Sequence, residues 1–228
     1  SIIGYLMNSI SSLINEHKYN FSQHTFFSQE NSSLSSVDKK LCFLPNMSFF
    51  IMGFGDLNKF TLPFIEPNGV LEDAVNTHAH EDANHWPWFI HDLRELGLNH
   101  VLPLSDTLEF LWSEQLAPSR KLTYDLVAML SNQPAKFRLV IIEVMEATGN
   151  VMFSFLKELV QGSNFKLKFC GDLHLSHESG HAMGSEYDLI DTLDFSYDEH
   201  QYSAKLIENS FQAFQLFIDQ LDNQLEIA

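Results

Sequence analysis

The chain has 228 residues and a formal net charge of −17, from 13 basic and 30 acidic side chains. This length fits one large domain, and the acidic balance argues against nucleic acid and anionic membranes as partners, because both bind basic patches. Its two cysteines, Cys42 and Cys170, form no disulfide framework, so we expect a reduced, cytoplasmic protein.

The first residues, SIIGYLMNSISSL, are apolar but contain neither a basic segment nor a small-residue cleavage site. This pattern predicts the start of an amphipathic helix rather than a signal peptide. Along the chain, no apolar run reaches the roughly 18 residues that a membrane-spanning helix needs. We therefore expect no segment to cross a membrane.

Helical periodicity dominates the first half of the chain. Residues 31–40 (NSSLSSVDKK) combine a turn with a helix start that serines can cap, and a long apolar helix is predicted after Pro45. Residues from about 71 to 96 predict one helix, which ends at Gly97 and is kinked by Pro87.

The second half of the chain has the same helical character. Asp106 is predicted to cap a short helix, and Ser119 to open the next one. A long helix is predicted after Pro134, and its apolar stripe also contains Glu146. The sequence therefore predicts an all-α fold, in which residues 1–228 form one domain built as a single bundle of about seven to eight helices.

Seven of the eleven histidines fall in two clusters, and both clusters repeat one spacing. A histidine, a carboxylate and a second histidine stand at positions i, i+4 and i+7, which share one face of a helix. These residues are His78, Asp82 and His85 in the first cluster, and His174, Glu178 and His181 in the second. Two such faces turned toward each other would line a pocket with imidazoles and carboxylates, which suit iron, zinc or manganese.

This repeated spacing favours a metal site over a structural role. Burying imidazole and carboxylate groups without a partner costs free energy, so such a face has little use in a core. A polar core network, or a metal site that has been partly dismantled, is the alternative interpretation. The remaining histidines are predicted to be ordinary surface or core residues, or to face away from the site; they are His17, His24, His100, His200, His80 and His91.

A second motif overlaps the second cluster. The string HESGH satisfies the H-E-x-x-H signature of zinc peptidases, in which Glu178 would be the general base and His177 and His181 the zinc ligands. Tyr187 stands where the extended form of that motif has its third histidine. Zinc peptidases also hold their substrate on an edge strand, and no sheet is predicted upstream.

Four segments, spread over nearly the whole chain, resemble the heme-oxygenase-like superfamily, especially its iron-containing diiron oxidase and oxygenase branch. Thiaminase-like and pyrroloquinoline-quinone synthase proteins share that fold. The segments are HTFFSQENSSLSSVDKKLCFL, HWPWFIHDLRELGLN, RLVIIEVMEATGNVMF and HLSHESGHAMG. The resemblance implies that the single all-α domain is a heme-oxygenase-like bundle.

The resemblance also implies a centre that holds iron. His85 matches the histidine of the family's first metal helix, and Glu146 is the choice for the glutamate of the middle helix, with Glu143 as the alternative. The last metal helix is matched by His174, Glu178 and His181.

The first metal helix departs from the family pattern at one position. The family usually has a glutamate seven residues before the histidine, where this chain has His78. Asp82 or Glu81, one turn from His85, could replace that glutamate. The number of iron ions therefore stays open at two, one or none.

The function that this resemblance implies is a metal-dependent oxidoreductase that activates dioxygen on a small organic substrate. A metal-free helical binding protein of the same fold and a zinc hydrolase that uses HESGH are the alternatives. The candidate walls of a substrate pocket are Phe49, Phe50, Phe54, Trp86, Met145 and Phe153. Haem is less expected, because the polar triplets would obstruct a porphyrin slot, although His17 or His24 could ligate it.

A homodimer or small oligomer is expected as well. Relatives of this fold commonly associate. The chain also carries 20 phenylalanines, some of which must lie near the surface.

Overall fold

The computed structural model describes residues 8–28, 36–171 and 185–227 of the chain. These residues form an all-α bundle, as predicted, and contain no strand; their ten α-helices include one of a single turn. The helices are α1 (Ile10–Ser22), the short α2 (Val37–Lys40), α3 (Ser48–Asp56), α4 (Val70–Asp82), α5 (Trp86–Glu95), α6 (Leu104–Leu111), α7 (Ala117–Leu130), α8 (Ala135–Val160), α9 (Ser185–Thr192) and α10 (Tyr197–Ile227).

The predicted amphipathic helix near the N-terminus is α1. Its first turn is capped by Ser9, whose hydroxyl accepts a hydrogen bond from the Ser12 amide at 3.1 Å. Ile10, Ile14 and Phe21 are its buried residues. This face packs on α8 and α10.

Helix α8 is the central element of the bundle. It follows Pro134 as predicted, and α1, α4 and α10 pack around it. An 18-residue window of α8 has a mean hydropathy of 1.6, so by length and composition this helix could cross a membrane, contrary to the prediction that no run is apolar enough. Because 72% of that window is buried inside the bundle, its apolar character is explained by core packing.

The predicted single helix over residues 71–96 is in fact two helices. Helix α4 ends at Asp82, and α5 begins at Trp86 after a short turn. Pro87 lies in the first turn of α5, where its missing N–H costs nothing and its fixed φ suits a helix start. The proline therefore starts a helix instead of kinking one. The end of α5 is as predicted, because Gly97 takes a φ of 70° just beyond it.

Two predicted helix starts were wrong by a few residues. Helix α6 begins at Leu104 after Pro103, so Asp106 lies within its first turn and does not cap it. Helix α7 begins at Ala117, which places Ser119 inside the helix. The Ser119 hydroxyl donates to the Leu116 carbonyl at 2.7 Å. A proline lies at the start of both helices: Pro103 precedes α6, and Pro118 lies in the first turn of α7. In both cases the proline marks the start of the helix more closely than Asp106 or Ser119 does.

The N-terminus of α10 is fixed by a reciprocal pair of hydrogen bonds. The Ser196 hydroxyl accepts from the Glu199 amide at 3.1 Å, and the Glu199 carboxylate accepts from the Ser196 amide at 3.0 Å. Lys136 of α8 donates to the same carboxylate at 3.1 Å and to the Asp194 carbonyl at 2.7 Å. The hydrogen bonds from Ser196, and then that from Lys136, lower the pKa of Glu199 below its ordinary value.

We expect Glu199→Gln to destabilise the protein at pH 7 but not in acid. Since the pKa of Glu199 is lowered by folding, its contribution is complete above the unfolded value of about 4.5 and is lost as the pH falls through the folded value. Urea unfolding of the native chain and the variant between pH 7 and pH 3 measures this difference, which should close at the acidic end. A difference that persists at pH 3 would contradict this account.

Glu208→Gln is the matched control. Glu208 lies on the same helix and pairs with Lys205 at 3.7 Å on the exposed surface. Exposed pairs of this kind contribute little, so this variant should track the native chain at every pH.

Candidate metal centre

Three side chains from α4 and α8 converge in the interior. The imidazole Nε2 of His78 lies 2.9 Å from Oδ2 of Asp82, one turn along the same helix. The same nitrogen lies 3.1 Å from Oε1 of Glu146, which α8 contributes. One potential ligand atom from each residue lies within 4.8 Å of the others. The arrangement is a buried cluster of one imidazole and two carboxylates that could hold a metal ion.

The burial of this cluster is close to complete. The side chains of His78, Asp82 and Glu146 are 0%, 2% and 3% exposed. Two ionised carboxylates at such depth need protons or cations to offset their charge. The imidazoles of His78 and His85 lie beside these carboxylates. The cluster therefore offers carboxylate oxygens and imidazole nitrogens, which are ligands for a cation, at one buried position.

His85 joins the cluster even though the helix that should present it is broken. Its Nδ1 lies 3.8 Å from Oδ1 of Asp82, and its ring stacks on Trp88 with centroids 4.6 Å apart. The backbone of His85 keeps helical dihedral angles, φ −87° and ψ −17°, at the start of α5. The predicted triplet of His78, Asp82 and His85 is thus brought together in space.

The alternatives for the carboxylate ligands are distinguished by burial and position. Glu81 is exposed, whereas Asp82 points into the cluster, so Asp82 is the residue of α4 that faces the site. Glu146, the glutamate chosen from the sequence, lies 3.1 Å from His78, and its role as a ligand stays a prediction. Glu143, one turn earlier on α8, is also buried and adds a third carboxylate to this part of the core.

The second histidine cluster lies outside the described residues. His174, Glu178 and His181 all fall in the segment 172–184, as does His177 of the alternative zinc motif. Their assignment as ligands, in either the iron or the zinc interpretation, stays a prediction.

An apolar cavity of about 80 Å³ opens beside the cluster. Asp82, His85 and Glu146 form its polar side. Five of the six residues predicted as pocket walls do line it, and they are Phe50, Phe54, Trp86, Met145 and Phe153. The sixth, Phe49, does not; its ring contacts the rings of Trp112 and Tyr124 at 5.4 and 5.9 Å.

Gly55 of α3 allows the cavity wall to close around the turn that carries His85. A β-carbon at this position would lie 3.2 Å from Cδ1 of Trp86 and 3.4 Å from the Ala83 carbonyl. A larger residue here would require the Trp86 ring to shift by a few tenths of an ångström. The sequence contains no signal for Gly55, because the close approach exists only once the helices are packed.

Asp92 is a second residue that sequence analysis missed. Its fully buried carboxylate accepts hydrogen bonds from the backbone amides of Lys168 at 2.7 Å and Cys170 at 2.8 Å, and contacts His91 at 2.9 Å. It thereby joins α5, which begins just after His85, to the loop that follows α8. Burial, and then the nearby Asp92 charge, raise the pKa of the Cys170 thiol well above its ordinary value.

The histidines predicted to be ordinary have structural partners. His24 Nδ1 accepts a hydrogen bond from the Phe26 amide at 3.0 Å, and its Nε2 lies 2.6 Å from Oδ1 of Asp219. Both ring nitrogens of His24 therefore have a partner within the fold. His17 stacks on Phe211 with centroids 5.3 Å apart. His80 is exposed, as predicted, on the outer face of α4.

No protein-family model matches this chain, and no curated protein does either. The resemblance to the heme-oxygenase-like superfamily accordingly stays a prediction. The geometry of the cluster and of the cavity is what indicates a functional site.

Proposed function

We propose that the protein is a metal-dependent oxidoreductase that uses non-haem iron to activate dioxygen on a small organic substrate. The observation that carries this proposal is a buried cluster of His78, Asp82 and Glu146 that borders an apolar cavity. Metal-binding side chains beside an enclosed apolar space are what such chemistry requires of a protein.

The distances within the cluster fit a shared metal ion. Nitrogen and oxygen ligands bind first-row metals at about 2.0–2.2 Å, so two ligands at right angles about one ion lie about 3 Å apart. The separations of His78 Nε2 from the Asp82 and Glu146 oxygens are 2.9 and 3.1 Å. Imidazole and carboxylate together suit iron, and with open positions they suit non-haem iron oxygenases.

His78, Asp82 and Glu146 would hold the first ion. His85, whose Nδ1 lies 3.8 Å from Oδ1 of Asp82, would be the next imidazole available to it, and Glu143 is a further buried carboxylate on α8. A second ion, if one binds, would depend on the predicted ligands His174, Glu178 and His181. When bound, iron supplies the activation of dioxygen.

The protein's own residues shape where the reaction occurs. The aromatic and methionine side chains of the cavity exclude water, which strengthens every charge interaction at the polar side. A cavity of about 80 Å³ is roughly half the volume of an engineered cavity that binds benzene. It therefore accommodates dioxygen and the reacting end of a substrate that is apolar at that end.

Metal analysis combined with oxygen uptake tests this function. The chain would be purified without oxygen, supplied with ferrous iron, and assayed for bound metal and for dioxygen consumption on exposure to air. Stoichiometric iron with oxygen consumption supports the proposal. One zinc ion without oxygen consumption supports the zinc hydrolase, and no metal under any loading condition supports a metal-free binding protein; either result overturns the proposal.

A further inference from the structure

Helix α6 is a short helix of eight residues, and none of them is buried. Apolar side chains instead lie exposed along it and beside it. We call this surface the α6 stripe, and its members, each between 46% and 99% exposed, are Val101, Leu102, Leu104, Leu108, Trp112 and Tyr124.

The stripe is continuous. Leu104, Leu108 and Trp112 stand at positions i, i+4 and i+8, which follow one face of the helix. Phe49 of α3 touches both Trp112 and Tyr124 through its ring, so the surface extends from α6 onto α7. Thr107 and Phe110, which are partly buried, mark a different side of the helix.

The stripe is large enough to be the apolar centre of a protein interface. A fully exposed leucine or valine offers on the order of 100 Å² of apolar area, and an aromatic side chain about 200 Å². At the observed exposures the stripe presents roughly 500 Å². A standard interface buries about 800 Å² per partner, of which about 60% is apolar, so the two areas agree.

The charge of the chain restricts what can cover this surface. A net charge of −17 disfavours nucleic acid and anionic membrane, and the stripe itself has no charged member that would select a charged peptide. Asp106 and Glu109, the acidic residues of α6, lie off the stripe. An uncharged apolar surface is the complement of the stripe, and a second copy of this chain presents one in its own stripe. The repulsion between two acidic copies is a cost that the apolar burial must exceed.

The pattern of the stripe is self-complementary. If two α6 helices pair antiparallel across a two-fold axis near Leu108, Leu104 of each copy faces Trp112 of the other. We infer that the protein forms a homodimer through the α6 stripe, with the two α6 helices antiparallel. This inference is independent of the proposed function.

A pair of matched variants tests the interface. Leu104 and Val70 are both the first residue of a helix and are 74% and 72% exposed, but Val70 belongs to α4 and is not a member of the stripe. Leu104→Glu should raise the dimer dissociation constant about a hundredfold, because each dimer carries the change twice. Val70→Glu should leave it unchanged. Sedimentation of each protein over a range of concentrations gives these constants.

Salt and cross-linking add two independent measurements. Because both copies are strongly acidic, raising the ionic strength should strengthen the dimer by screening their repulsion. In a Cys42→Ser background, Leu108→Cys should form an intermolecular disulfide on mild oxidation. Asp106→Cys, on the opposite side of α6, is the control and should not.

Four outcomes would overturn the inference. The first is a native chain that is monomeric at tens of micromolar. The second is a dimer that Val70→Glu disrupts and Leu104→Glu leaves intact. The third is cross-linking of Asp106→Cys in preference to Leu108→Cys. The fourth is a dimer that salt weakens, which would point to a charged interface elsewhere.

Discussion

The Glu146→Gln protein is expected to bind ferrous iron at least about a hundredfold more weakly than the native chain. Glutamine keeps the shape of the side chain but removes the negative charge that lies 3.1 Å from His78. Changes in residues that merely support metal ligands cost about 10- to 100-fold in affinity, so losing a ligand should reach or exceed that range. Anaerobic equilibrium dialysis with ferrous iron measures the affinity directly.

Thermal unfolding gives a second readout of the same change. Iron at a hundred times its dissociation constant should stabilise the native chain by about 2.7 kcal/mol. The Glu146→Gln protein at the same iron concentration should gain little of this stability. Its metal-free form should remain folded, since glutamine keeps the size of the side chain and an oxygen that can still accept a hydrogen bond from His78.

Two controls separate the cluster from its surroundings. His80→Ala changes the same residue type on the same helix as His78→Ala, but His80 is exposed, so only His78→Ala should lose iron. Glu143→Gln tests the neighbouring carboxylate of α8 and should weaken binding less than Glu146→Gln. If Glu143→Gln abolished binding while Glu146→Gln retained it, the ligand assignment on α8 would be wrong.

The first histidine triplet was predictable because its spacing survives the break between α4 and α5. The sequence indicated one face at i, i+4 and i+7, and the turn at residues 83–85 stays close enough to helical geometry to keep that face. The prediction of a single kinked helix was wrong, yet the position of His85 near Asp82 followed from the same periodicity. Local spacing therefore sufficed for these residues.

The choice between Glu143 and Glu146 could not be made from local pattern alone. Both glutamates lie on an apolar helix whose faces are buried all round, so each is an equally unusual carboxylate. Only the packing of α4 on α8 places Glu146 against His78. The exposed face of α6 escaped prediction for a similar reason, because amphipathic periodicity does not show whether the chain itself supplies a partner.

The sequence does contain a signal that Asp92 is buried. It stands on α5 between the buried residues Phe89 and Leu96, so an apolar face there contains a carboxylate. The partners of that carboxylate, however, are backbone amides more than 70 residues later in the chain. Side-chain patterns contain no information about which backbone groups a distant loop will present.

The Asp92→Ala protein is expected to be less stable than the native chain by about 3–5 kcal/mol. A hydrogen bond to a charged group contributes about 1.5–3 kcal/mol, and this change removes two such bonds and leaves the Lys168 and Cys170 amides without their acceptor. Asp92→Asn should cost less, because its remaining oxygen can still accept one of them. Urea unfolding measures both losses.

Asp125→Ala provides the control: Asp125 pairs with Lys121 at 2.5 Å on a more exposed part of α7, and the loss of such a pair costs about 0.5 kcal/mol or less. Because Asp92 joins α5 to the loop after α8, its loss should also weaken iron binding through the position of His85. Equal stability of the Asp92→Ala and Asp125→Ala proteins would show that this carboxylate does not hold the two elements together.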